Sequence, residues 1–311
     1  MSLGVLETTL TVVEKARHVR LESGVLQDLA KRWKESGFGV PGWDSAIHYA
    51  DANYVLVLDA LNFCFWADPD QPRWEVEYQG QSFNGYKALS VALRRAVEEG
   101  APLLEAGWLA KVSREQMAHL LRGRGEIPML NERVANAREV GQVLSQRWGG
   151  RFERMVEAAG GSAVELVRLV ERELSSFRDV CTYDGAEVRF LKRAQILAVD
   201  LFGTFQGQGP GALTGLEQLT AFADYKIPQI LRTLGGLVYS DELAGLVDNR
   251  REIPAGHPME VEIRAAMIWA VEELRRAMDL CAYEIDWFLW NEGQRPWPGE
   301  KPYHRTRTVF Y

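Results

Sequence analysis

The sequence is poor in the features that mark secreted, membrane-spanning or disordered proteins. Its 311 residues include three cysteines (Cys64, Cys181 and Cys281), which are odd in number and far apart, so they predict a reducing compartment, the cytoplasm, and no disulfide framework. The amino-terminal segment contains acidic residues and lacks the apolar core of a signal peptide. No apolar run reaches the roughly 18 residues that a membrane helix needs. We therefore expect a folded cytoplasmic protein that does not enter a membrane.

Clusters of cations are missing as well. The formal net charge is -7, and no dense run of Lys and Arg could follow a nucleic-acid backbone over many phosphates. This balance disfavours duplex DNA or intact tRNA as a stable partner, while leaving room for a local pocket that binds one phosphate. No Cys/His group has the spacing of a metal site, and Walker, Rossmann, nucleophile-elbow and HExxH motifs are absent. The sequence therefore predicts no metal centre.

Apolar residues at three- and four-residue spacing predict a mainly α-helical protein. The length suits a single domain over residues 1–311, either one large unit or two closely packed helical subdomains. Ser113, followed by Glu115 and Gln116, predicts a helix start, and Gly149-Gly150 predicts a helix end. The predicted helical segments are 5–36, 84–99, 113–122, 131–148, 162–175, 189–205, 216–234, 240–247 and 258–292.

Strand signals are few and predict a small β element. Tyr54–Leu58 is a short, valine-rich apolar run typical of a buried strand. Alternation over Arg73–Tyr78, a turn and then Ser82-Phe83 predict a hairpin, and Cys181–Val188 predicts a second hairpin around Asp184-Gly185. The closing RTRTVFY also alternates and predicts a last strand.

The segment Asn53–Trp66 places polar groups among aromatic rings. Buried Asn and Asp side chains cost free energy unless their hydrogen bonds are met. A planar heterocycle could meet them at its edge, with Phe63 or Trp66 on its face and Asn62 on its polar groups. The alternative is a turn after a strand, in which Asp59 or Asn62 caps a helix and the aromatic rings belong to the core.

Two later segments contain further carboxylates. In Phe190–Phe202, Lys192 and Arg193 open a helix whose dipole disfavours cations, and Asp200 lies in its apolar stretch. Asp200 could accept hydrogen bonds from a purine-like base, or it could end the helix or pair with a cation. Asp224 precedes a helix that carries Pro228 in its first turn, so it could be an N-cap, a catalytic carboxylate or both.

The carboxyl-terminal tail, Tyr303–Tyr311, is rich in cationic groups. His304, Arg305 and Arg307 could bind a phosphate. The alternative is a solvated face of an edge strand.

Several of these segments together resemble the queuosine salvage protein family, the queuosine 5′-phosphate N-glycosylase/hydrolases. The motifs have unusual composition and follow in order from about residue 50 to the carboxyl terminus. They are VLDALNFCFW, YQGQSFNGY (Tyr78–Tyr86), FRDV (Phe177–Val180), KRAQILAVD, FADYKIPQIL, VEIRAA (Val261–Ala266) and YHRTRTVFY.

The resemblance implies a helical fold similar to that of the helix-hairpin-helix DNA glycosylases. In those enzymes a lysine-containing helix precedes a catalytic aspartate at a helix start, which corresponds here to Lys192 and Asp224. The glycine-rich hairpin expected before the lysine is absent from Asp184–Arg189. That departure favours a mononucleotide over DNA as the substrate.

The resemblance also implies the reaction: hydrolysis of the N-glycosidic bond of queuosine 5′-monophosphate, which releases queuine for salvage into tRNA modification, without a cofactor. Asp224 would stabilise the sugar cation and activate water. Asp200 and Asn62 would bind the polar edge of the base, and its face would be covered by an aromatic ring. The candidates for that ring are Phe63, Trp66 and Tyr225. The candidates for binding the phosphate are Lys192, Arg193, His304 and Arg305.

Two other functions fit the same residues. A non-catalytic queuosine- or nucleotide-binding protein could use the same pocket. A DNA repair glycosylase would fit the fold analogy, although the acidic net charge and the missing glycine hairpin count against it.

Overall fold

The computed structural model describes residues 2–36, 39 and 43–311, and this part of the chain is mainly α-helical, as the sequence predicts. Its fourteen α-helices are α1 (Val5–Lys15), α2 (Ser23–Glu35), α3 (Ala52–Ala60), α4 (Gly85–Glu98), α5 (Ala106–Leu109), α6 (Arg114–Leu120), α7 (Leu130–Arg147), α8 (Phe152–Ala158), α9 (Ala163–Glu173), α10 (Lys192–Thr204), α11 (Lys226–Thr233), α12 (Asp241–Asp248), α13 (Pro258–Met278) and α14 (Ala282–Glu292). Ser113 begins α6 through a capping box with Gln116, as its spacing predicts.

The β structure consists of three antiparallel strand pairs within the described residues. Both predicted hairpins are confirmed: β2 (Glu75–Tyr78) pairs with β3 (Gln81–Asn84), and β4 (Val180–Tyr183) with β5 (Ala186–Arg189). Each hairpin turns through two residues of positive φ that end in glycine, the geometry that suits the strand twist. The third pair joins β1 (Val19–Leu21) to β6 (Leu237–Tyr239), which lie far apart in sequence.

The prediction of a strand at Tyr54–Leu58 is wrong, because this segment lies inside α3. Asp51 caps the helix by accepting a hydrogen bond from the Tyr54 backbone N–H. Every residue of α3 except Asn53 is buried. A helix buried on all sides has no polar face, so its short apolar run cannot be told from a buried strand by periodicity.

Three predicted helical segments are broken by local backbone changes. The segment 5–36 divides into α1 and α2 around β1, and 216–234 is α-helical over Lys226–Thr233. The segment 258–292 breaks at Asp279, whose φ of 58° ends α13 before Cys281 begins α14. In each case a turn of the chain interrupts an apolar pattern that continues on both sides.

The carboxyl-terminal tail is not the strand that its alternation predicts. Its regular pairing is a single bridge between Arg305 and Glu252. The tail instead packs against the body of the protein, and the backbone carbonyl of Tyr311 accepts a hydrogen bond from the Cys64 N–H. The alternating sequence of the tail therefore forms no regular ladder, and its burial does not alternate, because His304, Arg305 and Thr306 are buried in succession.

The long helix α13 lies at the centre and packs against α1, α2, α11 and α14. It is buried over most of its length although it carries Glu260, Glu262, Arg264 and Glu272. One hydrophobic cluster extends from Leu3 to Leu289 around it. Within the residues described above, no helix combines the length and apolarity required to cross a membrane.

We predict that Gly141→Ala destabilises the protein. Gly141 lies where α7 meets α5, and a Cβ there would overlap backbone atoms of Ala106 and Ala110. Overpacking of this kind lowers the free energy of unfolding by about 1–3 kcal/mol. Chemical denaturation measures the effect. Gly245→Ala is the matched control: Gly245 is an exposed glycine in α12 with open space around it, so alanine there should stabilise the protein by roughly 0.5–1 kcal/mol. Equal effects at both positions would contradict the prediction.

Candidate active site

A cavity of about 690 Å³ opens between the helices, with walls from α4, α10, α11, α14 and the loops beside them. Aromatic side chains form much of its wall, including Phe63, Trp66, Tyr225, Trp287 and Trp290. Its polar groups include buried carboxyls and several cations. A cavity of this size with aromatic walls and few, convergent polar groups is typical of a site for a small planar ligand.

The loop that carries Asn62 and Phe63 is held by two buried arginines. Arg193 donates to the backbone carbonyls of Asp59 (3.0 Å) and Ala60 (2.6 Å) at the end of α3. Arg133 donates to the carbonyls of Leu61, Phe63 and Cys64. Cations at a helix carboxyl terminus satisfy its free carbonyls and its dipole. The pair therefore fixes the turn that directs Asn62 and Phe63 into the cavity.

Asp224 caps α11, as the sequence predicts, and also lines the cavity. Its Oδ1 accepts from the backbone N–H groups of Lys226 and Ile227, both at 2.9 Å. Burial raises the pKa of Asp224, whereas the Lys192 ammonium and the two N–H groups lower it. The cap and the cavity carboxylate are thus the same side chain.

Lys192 lies in the cavity wall among several carboxyl groups. Burial lowers the pKa of its ammonium, and the charges of Asp224, Asp59 and Asp286 raise it. The carboxyls respond in the opposite sense: burial raises the pKa of Asp59, Asp286 and Asp200 above the ordinary range, to about 7 for Asp200. The Lys192 ammonium offsets only part of the cost of burying these charges, so the surroundings favour the neutral form of the carboxyls.

Asp286 is a cavity residue that the sequence analysis misses. It lies on α14, and its Oδ2 accepts a hydrogen bond from the backbone N–H of Phe222 at 2.8 Å. Phe222 precedes Asp224 by two residues, so this bond ties α14 to the segment that carries Asp224. Its signal in the sequence is a carboxylate within the aromatic run AYEIDWFLW, the same pattern that points to Asn62.

Tyr86 and His48 were also missed. The Tyr86 hydroxyl lies 2.9 Å from Asp200 Oδ2 and 2.8 Å from His48 Nε2. His48 comes from the loop before α3, and no local pattern distinguishes it in the sequence.

The cavity brings together seven of the ten predicted site residues. Asn62, Phe63, Trp66, Lys192, Asp200, Asp224 and Tyr225 all contribute to its wall. They come from three segments that are well separated in the sequence.

The other three predicted site residues, Arg193, His304 and Arg305, do not line the cavity. The Arg193 guanidinium turns to the end of α3, as described above. His304 is buried against Tyr311, and burial and the nearby Arg264 lower its pKa to about 3, so it carries no charge for an anion. Arg305 packs over the Trp66 ring at 5.3 Å.

Besides Lys192, which was predicted, the cations that reach the cavity come from other parts of the chain. Lys226, at the start of α11, donates to Gln229 Oε1 at 2.8 Å, and Arg73, Lys87 and Arg295 also contribute to the wall. Lys226 follows Asp224 by two residues. A cation that could bind an anion and a carboxylate therefore lie together at the start of α11.

Comparison with known proteins gives a consistent result over the whole chain. The family model described as queuosine salvage protein matches residues 45–311. A queuosine 5′-phosphate N-glycosylase/hydrolase from Sphaerobacter thermophilus is 51% identical over 319 residues, which cover 99% of this chain and 98% of the relative. Proteins of the same name from Dictyostelium discoideum and Bos taurus are 37% and 32% identical, each covering 98% of both chains. The resemblance seen in the sequence motifs is confirmed: the chain belongs to the queuosine salvage protein family.

Proposed function

We propose that the protein is an N-glycosyl hydrolase that cleaves queuosine 5′-monophosphate and releases queuine for salvage into tRNA modification. Similarity over nearly the full length to relatives of that name supports the substrate and the reaction. The observation that carries the proposal is the joint position of Lys192, Asp200 and Asp224 in one aromatic-walled cavity.

The base would lie between the aromatic rings, with its polar edge toward Asn62 and Asp200. Asn62 is 4% and Asp200 2% exposed, and each has one polar atom bonded within the protein, so an unmatched base would leave the remaining oxygens, Asn62 Oδ1 and Asp200 Oδ1, without partners. Phe63, Trp66 and Tyr225, the rings predicted from the sequence to cover the base, all line the cavity, as do Trp287 and Trp290. Recognition by buried polar groups discriminates strongly against bases that cannot pair with them.

Bond cleavage would place the positive charge next to Asp224. As the bond between C1′ and N9 breaks, its electron pair goes to the base and the sugar becomes an oxocarbenium-like cation. The Asp224 carboxylate stabilises this cation and takes a proton from the attacking water, whose oxygen joins C1′. The base takes up a proton, so that one water molecule is consumed overall.

The 5′-phosphate would be bound by cations of the cavity wall. Lys226 is the first candidate because it adjoins Asp224, with Arg73, Lys87 and Arg295 nearby in the same wall. Arg193, His304 and Arg305 drop out because their side chains do not reach the cavity. Binding energy from the phosphate can position C1′ against Asp224.

We further propose a single cytoplasmic domain related to the helix-hairpin-helix glycosylases that acts on a mononucleotide. The continuous core supports one domain, and the free cysteines support a reducing compartment. The order of Lys192 at one helix start and Asp224 at the next cap supports the fold relationship.

Two alternative functions can be distinguished by experiment. A DNA glycosylase would bind duplex DNA in a salt-dependent gel shift, and a binding protein would release no base.

Asp224→Asn should reduce turnover by about 10²–10⁴-fold, because the amide cannot take the proton from water. Asparagine still caps a helix, so thermal unfolding should stay close to that of the wild type. Chromatography of released queuine measures the rate. Full activity in the folded variant would show that Asp224 is not the catalytic carboxylate, and Asp200 would then be the next candidate.

Lys192→Met should move the acidic limb of the pH–rate profile to higher pH by about one to three units. Without the ammonium, the charged form of Asp224 loses a favourable interaction, its pKa rises, and a higher pH is needed to ionise it. Lys111→Met, at an exposed lysine outside the cavity, is the control and should leave the profile unchanged. A uniformly lower rate with an unmoved limb would show that Lys192 does not act on Asp224.

Lys226→Met should remove the preference for nucleotide over nucleoside, raising KM for queuosine 5′-monophosphate and leaving the nucleoside rate nearly unchanged. The methionine keeps the length of the side chain and removes the charge that would attract the phosphate. Steady-state kinetics on both substrates measure the ratio, with Lys111→Met as the control. Equal losses on the two substrates would exclude Lys226 as the phosphate contact.

A further inference from the structure

A continuous chain of hydrogen bonds runs from the cavity to the loop before α3. Asp200 Oδ2 lies 2.9 Å from the Tyr86 hydroxyl oxygen, which lies 2.8 Å from His48 Nε2. His48 Nδ1 in turn lies 2.6 Å from the backbone carbonyl oxygen of Asp44. Trp43 stacks on the imidazole with ring centres 4.2 Å apart and fixes its plane.

The direction of these hydrogen bonds follows from the last group in the chain. A backbone carbonyl can only accept, so His48 Nδ1 carries a proton and donates it to Asp44. A neutral imidazole then has a bare Nε2, which must accept from Tyr86. The Tyr86 hydroxyl has one proton, and it is donated to His48 Nε2. The contact between Tyr86 and Asp200 can then be a hydrogen bond only if a protonated Asp200 carboxyl is the donor.

We propose that His48 and Tyr86 are positioning residues that keep Asp200 protonated, so that an uncharged carboxyl meets the base of the substrate. This inference rests on the hydrolase function proposed above. Neither residue touches the reacting atoms in this scheme; both act through Asp200.

The surroundings of the chain favour the same proton arrangement. The alternative that also satisfies every contact has an Asp200 carboxylate and a His48 imidazolium. Burial lowers the pKa of His48 to about 4, the Asp44 carbonyl opposes this, and the charges of Arg94 and Lys87 lower it further.

Asp200 also faces other carboxyls, Asp59 on α3 and Asp286 on α14, each of which interacts unfavourably with its charge. A hydrogen bond donated by Tyr86 would lower the pKa of Asp200, as does Lys192 on the same helix, yet burial keeps this pKa raised to about 7. Burial thus favours a proton on the Asp200 carboxyl and disfavours one on the His48 imidazole.

An uncharged Asp200 suits the departure of this base. Queuine is a 7-deazapurine with carbon at position 7, so protonation at that position cannot assist cleavage, and negative charge develops on the leaving base. A carboxylate beside the base would repel that charge, whereas a neutral carboxyl still offers its Oδ1 as an acceptor for a base N–H. The rate should therefore fall on the alkaline side as Asp200 ionises.

The test is the alkaline limb of the kcat/KM profile for queuosine 5′-monophosphate. In His48→Phe, Tyr86 is free to donate to Asp200 and stabilises the carboxylate, so the limb should move to lower pH by about one to two units, the size of a hydrogen bond to a charged group. His48→Gln supplies an amide oxygen that accepts from Tyr86, so its limb should stay near that of the wild type. Tyr86→Phe removes the group that accepts the Asp200 proton, so its limb should also move to lower pH.

These variants separate positioning from packing. A merely structural His48 would lower the rate in His48→Phe and His48→Gln without moving either limb, and that result would overturn the proposal. A limb that moved to higher pH in Tyr86→Phe would overturn it as well, because it would mean that Tyr86 donates its proton to the Asp200 carboxylate.

A measurement without turnover tests the proton directly. Carbon-13 NMR of carboxyl-labelled aspartate, with the Asp200 signal assigned by its loss in Asp200→Asn, should show a protonated carboxyl at pH 6 and a lower pKa in His48→Phe. An Asp200 that titrates identically in both proteins would overturn the inference. If the wild type released no queuine at any pH, the hydrolase function would fail, and this titration would still decide the role of His48 and Tyr86.

Discussion

The ion pair between Arg264 and Asp179 is the constraint on which the site depends. Both side chains are 3% exposed, and the guanidinium donates to both carboxylate oxygens, at 3.0 and 2.5 Å. Asp179 Oδ2 also accepts from the Lys192 N–H at the start of α10, and Arg264 Nε donates to the carbonyl of Ala223, the residue before Asp224. One buried pair on the central helix therefore sets the positions of Lys192 and Asp224. Removing one partner of such a pair typically costs about 3–5 kcal/mol.

That scaffold allows the crowding of acidic groups in the cavity. Asp200, Asp224 and Asp286 line the cavity with Lys192, and the buried Asp59 interacts with Asp200 and Lys192 from behind the wall, an arrangement that opposes full ionisation. The groups differ in their partners: Asp224 receives two backbone N–H groups, whereas Asp59 Oδ2 lacks a partner among the described residues. Burial raises the pKa of both Asp224 and Asp59, and the two backbone N–H groups oppose that rise at Asp224, so the environment favours the charged form more at Asp224 than at Asp59.

Much of the fold followed from local pattern, and the failures have definite causes. The two hairpins and the start of α6 were predicted because turn residues and caps act over a few residues. The strand predicted at Tyr54–Leu58 failed because α3 is buried all round, and β1–β6 was missed because its partners lie more than 200 residues apart. Among site residues, Arg193 was misplaced because consecutive side chains on a helix point in different directions: Lys192 meets the cavity and Arg193 meets the end of α3.

The sequence by itself determined the helical class, the family through its motifs, and several residues that line the cavity, with Asp224 at a helix start and Asn62 and Asp200 among apolar neighbours. These features are local, because motifs, caps and periodicity depend on residues that are close together in the sequence. The tertiary structure alone decided which cations reach the cavity, that Asp286 joins Asp224, and that His48 and Tyr86 connect to Asp200. Those contacts join residues from separate segments, and their hydrogen-bond directions and pKa shifts arise from burial and proximity that only the folded chain creates.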